Sequence, residues 1–121
     1  MPVLVVDDYK TVVQIIRNLL RQAGFADVDE ASDGEEAFAK MKERKYALVI
    51  SDWHMTPTSG VQLLEKAKAD ADLSETPFIM VSAEASPENV AAAKKAGAAA
   101  YVVKPFDALT LRARIDSALS K

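Results

Sequence analysis

Four short apolar runs in this sequence are each followed by side chains that can do chemistry. The runs span residues 3–6, 47–51, 78–81 and 100–103. In chain order, the side chains that follow them are Asp7, Asp8, Asp52, Ser82, Glu84 and Lys104. If the runs are parallel strands of one sheet, these groups meet at the carboxyl ends of the strands, where such sheets bind their ligands.

Three converging carboxylates repel one another unless a cation lies between them, and at least one would tend to hold a proton. Hard oxygen ligands without a cysteine or a histidine cluster favour Mg²⁺ as that cation. Lys104 adds a second positive charge, and Ser82 adds a hydroxyl. This set of groups is suited to receive a phosphoryl group, and a carboxylate nucleophile would then form an aspartyl phosphate.

The elements that position these residues alternate between strands and helices. The four apolar runs lack a period of two, which is typical of strands covered on both faces, whereas residues 28–31 alternate and predict an edge strand. Five segments with helical spacing lie between or after the strands. The alternation predicts an α/β class with right-handed crossovers and a doubly wound parallel sheet.

Capping residues predict where the helices begin and end. Gly24 and Gly97 end the first and fourth helices, and Pro87 follows the N-cap of the fourth. The first helix is predicted to turn Val12 inward, and the third Val61. The predicted N-caps of the last four helices are Asp33 with Glu36 as a capping box, Ser59 with Gln62, Ser86, and Asp107.

Composition limits the function classes. The chain has 121 residues, enough for one domain, with 50% hydrophobic and 27% charged residues and no cysteine. A net charge of −3 argues against general nucleic-acid binding, and no apolar run is long enough to insert into a membrane. The start, MPVLVVDD, is a strand pattern and not a signal peptide, so a cytoplasmic protein is expected.

In this order and over the whole chain, these residues resemble a known family. The sequence is similar to a response-regulator receiver domain, and more narrowly to a stand-alone receiver of the chemotaxis (CheY-like) type. The resemblance implies a single receiver domain over residues 1–121, with a five-stranded parallel sheet flanked by five helices and the flavodoxin-like strand order 2-1-3-4-5. The features that carry it are Asp7-Asp8, Asp52 in "SDWHM", Gly60, Ser82 in "MVSAE", Tyr101 and Lys104-Pro105-Phe106.

The resemblance also implies roles for the acidic residues. Asp52 would be the phosphoacceptor. Asp8 and Asp52 would hold Mg²⁺ together with the backbone carbonyl of His54, and Asp7 would act on the metal mostly through water. From the sequence alone, Asp7 is also a candidate cap for the turn that follows it.

Further roles follow from the resemblance at the ends of the last two strands. Lys104 and Ser82 would bind phosphoryl oxygens, and the Lys104–Pro105 peptide bond would be cis. Ser82 and Tyr101 would form a switch pair, although Tyr101 is equally a residue type that packs well in a strand. Trp53 is expected to be partly exposed beside the site and chemically silent.

The loop after the third strand departs from the common family pattern. His54 stands where chemotaxis receivers often have Asn, Thr56 where a Pro is frequent, and Ser59 where an Asp is frequent. These departures concern the loop geometry and the lifetime of the phosphoryl group. His54 and Glu84 are the candidates for tuning that lifetime.

The expected function is a phosphorylation-activated switch of a two-component system, and not a metabolic enzyme. The partners implied are a histidine kinase or phosphotransferase and a downstream protein, bound by a monomer through the face of the fourth helix, fifth strand and fifth helix. A phosphate sink or relay intermediate is an alternative. A phosphate-independent adaptor is disfavoured, because the acidic and lysine positions are intact. A haloacid dehalogenase-type phosphatase would need a D-x-D pattern, and a flavodoxin-like cofactor binder a Gly-rich or hydroxyl-rich loop, where this chain has "DDYKTV".

Overall fold

Five parallel strands form the centre of the protein and carry helices on both faces. The computed structural model describes residues 2–53, 58–83, 86–104 and 106–120. The strands are β1 (Val3–Val6), β2 (Val28–Ala31), β3 (Leu48–Asp52), β4 (Phe78–Ser82) and β5 (Ala100–Val103). The helices are α1 (Lys10–Gln22), α2 (Gly34–Glu43), α3 (Gly60–Ala69), α4 (Pro87–Ala96) and α5 (Ala108–Leu119).

The strand order β2-β1-β3-β4-β5 confirms the predicted topology. All four neighbouring pairs of strands are parallel, so the carboxyl ends of the strands lie at the same edge. The register sets Val6 beside Ser51, Asp52 beside Val81, and Ser82 beside Val103. The sheet therefore brings together residues that are up to about a hundred positions apart in the chain, as in other sheets built from crossover connections.

Each face of the sheet has its own apolar core, because successive strand residues point to opposite faces. Leu4, Val49 and Met80 face the side covered by α2, α3 and α4. Val5 and Ile50 face the other side, which α1 and α5 cover. The strands β1, β3 and β4 are buried on both faces, which explains their continuous apolar runs.

Two strands extend one residue beyond their apolar runs. The runs stop at residues 51 and 81, whereas β3 includes Asp52 and β4 includes Ser82, the polar residues predicted to end these strands. Backbone hydrogen bonds continue past the apolar residues, from the Trp53 N–H to the Val81 carbonyl (2.9 Å) and from the Lys104 N–H to the Ser82 carbonyl (2.8 Å). Strand pairing depends on backbone groups, so polar side chains at a strand end do not stop it.

The helix caps agree with the sequence at most positions. Ser59 and Gln62 form a full capping box, Ser86 and Asp107 accept a backbone N–H, and Gly97 ends α4 with φ +106°. The predicted box at α2 is wrong in one half. Asp33 accepts the Glu36 N–H (2.8 Å), but the Glu36 carboxylate reaches one residue further, to the N–H and hydroxyl of Ser32 (2.7 and 2.8 Å).

Two residues predicted to face inward, Val12 in α1 and Val61 in α3, are only partly buried. In α1 the buried residue is Val13, because Val13, Ile16 and Leu20 form the three- and four-residue spacing that faces the sheet. In α3 the buried residue is Leu63. Both errors concern the margin of the buried face, which depends on how the helix sits on the sheet.

The α3 cap supplies a test of the fold. Replacing Ser59 by Ala removes the acceptor for the Gln62 N–H and should lower the free energy of unfolding by about 1 kcal/mol. Ser59→Asn retains a capping oxygen and is the matched control, with a loss of only a few tenths of that value. Urea unfolding followed by circular dichroism measures both, and equal losses in the two variants would show that the cap is not what stabilises α3.

Candidate functional site

Three aspartates converge at the carboxyl edge of the sheet. Asp7 and Asp8 directly follow β1, and Asp52 ends the neighbouring strand β3. One carboxylate oxygen of each lies within 4.8 Å of the other two. Asp7 and Asp52 are buried, with 2% and 7% exposure, whereas Asp8 is exposed. A set of hard oxygen donors with one open side fits a divalent cation that keeps part of its water shell.

Lys104 is the cationic residue that contacts these carboxylates in the described part of the chain. Its Nζ donates to Asp52 Oδ1 (3.0 Å) and lies 3.5 Å from Asp7 Oδ2. Its backbone N–H donates to the Ser82 carbonyl, and this hydrogen bond fixes the backbone of Lys104 at the end of β5. One lysine against three ionised carboxylates leaves an excess of negative charge at this edge.

The electrostatics of the site follow from burial and from this excess. Burial raises the pKa of Asp7 above its usual value, and the charge of Asp52 adds to the rise, against the opposing effects of the Tyr9 N–H and Lys104. Burial lowers the pKa of Lys104, but the hydrogen bond to Asp52 and the charges of Asp52 and Asp7 together raise it. Lys104 is therefore firmly protonated, and Asp7 is the carboxyl group that the fold makes costly to ionise.

Asp7 also caps the turn after β1, which is the alternative role that the sequence offered for this residue. Its Oδ1 accepts the backbone N–H of Tyr9 at 2.9 Å, while its Oδ2 faces Lys104. The turn thus holds the carboxylate in one orientation within the cluster. Tyr9 itself is the N-cap of α1 and provides no side-chain cap.

Gly60 lets the start of α3 lie against the backbone of Asp52. A Cβ at this position would stand 2.0 Å from the Asp52 carbonyl oxygen and 2.8 Å from Met80 Cε, which no real side chain can do. The Gly60 N–H donates to the Trp53 carbonyl (3.1 Å). The Ser51 hydroxyl, fully buried, donates to the same Asp52 carbonyl oxygen at 3.1 Å. Sequence analysis noted Gly60 only through the family resemblance, and the contact explains why glycine is needed there.

Ser82 and Tyr101 lie on the neighbouring strands β4 and β5. Ser82 is fully buried as the last residue of β4, and Tyr101 is half-buried. Since Ser82 pairs with Val103 and Met80 with Tyr101, Ser82 and Tyr101 are diagonal neighbours on one face of the sheet. The rings of Tyr101 and Trp53 are also in edge-to-face contact, which sequence analysis missed because it treated Trp53 as chemically silent.

The predictions for three residues fall outside the described part of the chain. They are the metal-binding carbonyl and the lifetime role of His54, the lifetime role of Glu84, and the cis peptide at Pro105. Among the described residues that the sequence pointed to, Asp7, Asp8, Asp52, Ser82 and Lys104 lie at the carboxyl edge of the sheet, whereas Tyr101 lies within β5.

Comparison with known proteins identifies the family. The model of the response regulator receiver domain matches residues 3–116. The chain belongs to this family. Among the described residues, none of the helices of this receiver is long and apolar enough to cross a membrane.

Relatives and solved structures place the receiver among CheY-like proteins. It is 40% identical over 116 residues to chemotaxis protein CheY-3 of Vibrio cholerae, covering 96% of this chain and 89% of the relative. It is equally identical to chemotaxis protein CheY of Pseudomonas aeruginosa, covering 96% and 94%. The structure of Vibrio cholerae CheY4 aligns with a TM-score of 0.90 at 33% identity over 98% of both chains. A putative response regulator from Chloroflexus aurantiacus aligns with a TM-score of 0.93 at 28% identity, over 99% of this chain and 98% of that one.

The raised pKa of Asp7 predicts a pH-dependent gain in stability when the charge is removed. In metal-free buffer, Asp7→Asn should raise the free energy of unfolding at neutral pH, because the ionised Asp7 carboxylate destabilises the folded state there. The gain should shrink as the pH falls through the folded-state pKa and vanish below the ordinary value of 3.8, where the wild-type group is protonated in both states.

Urea unfolding at a series of pH values measures this difference. Asp116→Asn, which removes an exposed carboxylate on α5, is the control and should change stability little at any pH. A loss of stability in Asp7→Asn at neutral pH would mean that the Asp7 carboxylate is favourable in the folded state, against the account given above.

Proposed function

We propose that this receiver is a phosphorylation-activated switch in which Asp52 accepts a phosphoryl group from a histidine kinase or phosphotransferase. The observation that carries the proposal is the convergence of Asp7, Asp8 and Asp52 on one edge, with Lys104 bound to Asp52 at 3.0 Å. Carboxylates alone would repel phosphate. A carboxylate nucleophile beside a lysine and a cation-binding cluster is suited to take one up.

Mg²⁺ is the proposed metal. Asp8 and Asp52 would bind it directly, together with the His54 carbonyl, and Asp7 would act mostly through water. When bound, the ion supplies positive charge that offsets the carboxylates and the oxygens of the incoming phosphoryl group. The close approach of one oxygen from each of the three aspartates supports this assignment.

In the proposed transfer, an Asp52 carboxylate oxygen attacks the phosphorus of a phosphohistidine. The new O–P bond forms as the P–N bond breaks, and the electron pair of that bond returns to the imidazole. Lys104 then binds a phosphoryl oxygen as well as Asp52, and the Ser82 hydroxyl donates a hydrogen bond to a second phosphoryl oxygen. Water later attacks the same phosphorus, the bond between phosphorus and the Asp52 oxygen breaks, and phosphate leaves as the carboxylate is restored. The chain therefore acts on its own aspartate and turns over no outside substrate.

The proposed output is protein–protein contact through the face of α4, β5 and α5. Each of these elements exposes a large apolar side chain: Val90 on α4, Val103 on β5 and Leu109 on α5, which is 80% exposed. The likeness to CheY proteins supports a role in chemotaxis. We further propose that the protein acts in the cytoplasm, as a monomer with a single receiver domain. Tyr101 on β5 would link this face to the site, with Ser82 as its partner in the switch.

Phosphorylation of Asp52 is tested with a small phosphodonor. Incubation with Mg²⁺ and acetyl phosphate should add one acyl phosphate, seen by intact-mass spectrometry as a single phosphoryl adduct that is lost in hydroxylamine. Asp52→Asn should abolish the adduct, because an amide is not a nucleophile for this transfer. Asp72→Asn, an exposed carboxylate remote in the sequence from the site, is the control and should be labelled like the wild type. Equal labelling of the Asp52→Asn variant would refute the assignment of the acceptor.

A further inference from the structure

We infer that Trp53 is a positioning residue for Tyr101, and that its indole carries part of the response at Asp52 to the output face. This inference rests on the proposed function and deepens it. Trp53 directly follows the proposed phosphoacceptor, and its ring meets a residue of β5. The indole therefore provides a second connection to Tyr101, in addition to the Ser82 hydroxyl.

The two rings form a specific pair. The centroids of Trp53 and Tyr101 are 6.0 Å apart and the ring planes cross at 66°, an edge-to-face arrangement. Aromatic pairs prefer this geometry because the positive edge of one ring meets the negative face of the other. Both rings are half-buried and rest on the same apolar core, the one covered by α2, α3 and α4. A change in the position of one ring therefore changes the packing environment of the other.

The backbone of Trp53 is fixed on both sides. Its N–H donates to the Val81 carbonyl of β4 (2.9 Å), and its carbonyl accepts the Gly60 N–H at the start of α3 (3.1 Å). The absence of a Cβ at Gly60 lets α3 touch the carbonyl oxygen of Asp52 as well. Since the indole is held one peptide away from the reacting carboxylate, a shift of the Asp52 backbone moves the indole directly.

The pairing of β4 with β5 places Ser82 next to Tyr101, the same residue that the Trp53 indole contacts. Met80 pairs with Tyr101 across β4 and β5, and alternation along β4 puts Ser82 on the same face as Met80. Tyr101 therefore has Ser82 as a diagonal neighbour and Trp53 as a ring neighbour. Without the indole, the Tyr101 ring would keep its packing on the apolar core but would lose its aromatic partner.

Fluorine NMR of protein labelled with 3-fluorotyrosine tests the inference. The chain has three tyrosines, and Tyr101→Phe assigns the Tyr101 signal by its loss. Spectra are recorded with and without Mg²⁺ and beryllofluoride, a mimic of the phosphoryl group. The signal of bound beryllofluoride reports in the same spectrum whether the site is occupied.

The variants separate ring orientation from simple packing. In the wild type, the Tyr101 signal should shift when beryllofluoride binds. Trp53→Leu keeps an apolar side chain without a ring and should lose more than about half of that shift, whereas Trp53→Phe keeps an aromatic edge and should retain most of it. Full occupancy by beryllofluoride in Trp53→Leu, with a Tyr101 shift equal to that of the wild type, would overturn the inference and leave the proposed function intact.

Failure of the proposed function has a different result. In that case beryllofluoride would not bind the wild type at all, which would overturn the proposed function and, with it, the inference that rests on that function. A second measurement does not need a Trp53 variant to fold. In Tyr101→Leu, the emission of Trp53 should differ from that of the wild type before any ligand is added, because the indole has lost its ring partner, and an identical emission spectrum would also overturn the inference.

Discussion

Asp7, Asp8 and Asp52 repel one another, yet the protein holds an oxygen of each within 4.8 Å of the other two. The parallel sheet imposes this arrangement, because the register of β1 with β3 leaves no way to separate the ends of the two strands. Lys104 offsets only part of the repulsion, through contacts with Asp52 and Asp7 at 3.0 and 3.5 Å. The excess of negative charge is what makes the site ready for a cation.

The rest of the structure serves to keep this unfavourable arrangement in place. Two apolar cores, one on each face, hold the central strands. The residues that follow β3 and β5 are bound to β4 through backbone hydrogen bonds to the carbonyls of Val81 and Ser82. Gly60 allows the start of α3 to lie against the Asp52 carbonyl, and the Tyr9 N–H fixes the orientation of the Asp7 carboxylate. A site that is destabilised in this way responds strongly to binding, because any group that relieves the repulsion stabilises the folded state.

Much of the fold follows from local chemistry that is visible in the sequence. The apolar runs mark strands covered on both faces, Ser59 and Ser86 mark helix starts, and Gly97 marks a helix end with positive φ. Parallel sheets bind their ligands at the carboxyl ends of their strands, and this rule alone predicts that Asp52 and Lys104 belong to one site. These predictions succeed because each depends on residues close in sequence or on the topology alone.

The features that escaped prediction depend on packing and on local geometry that residue types do not encode. Which residue of α1 is buried, Val13 and not Val12, depends on how the helix rests on the sheet. The Glu36 carboxylate accepts the N–H and the hydroxyl of Ser32 and not the Asp33 N–H that a capping box would use. The ring contact between Trp53 and Tyr101 joins residues 48 positions apart across three strands, and spacing along the chain does not reveal it.

The most direct test of the account is a Mg²⁺ titration followed by the emission of Trp53, the single tryptophan of the chain. Because Trp53 adjoins Asp52, Mg²⁺ binding at the carboxylate cluster should change its emission along a saturating curve. Asp8→Ala removes a charged ligand at the open side of the cluster, so the curve should move to higher Mg²⁺ concentrations. A titration that is the same in Asp8→Ala and in the wild type would show that Mg²⁺ binds elsewhere, and would contradict the account.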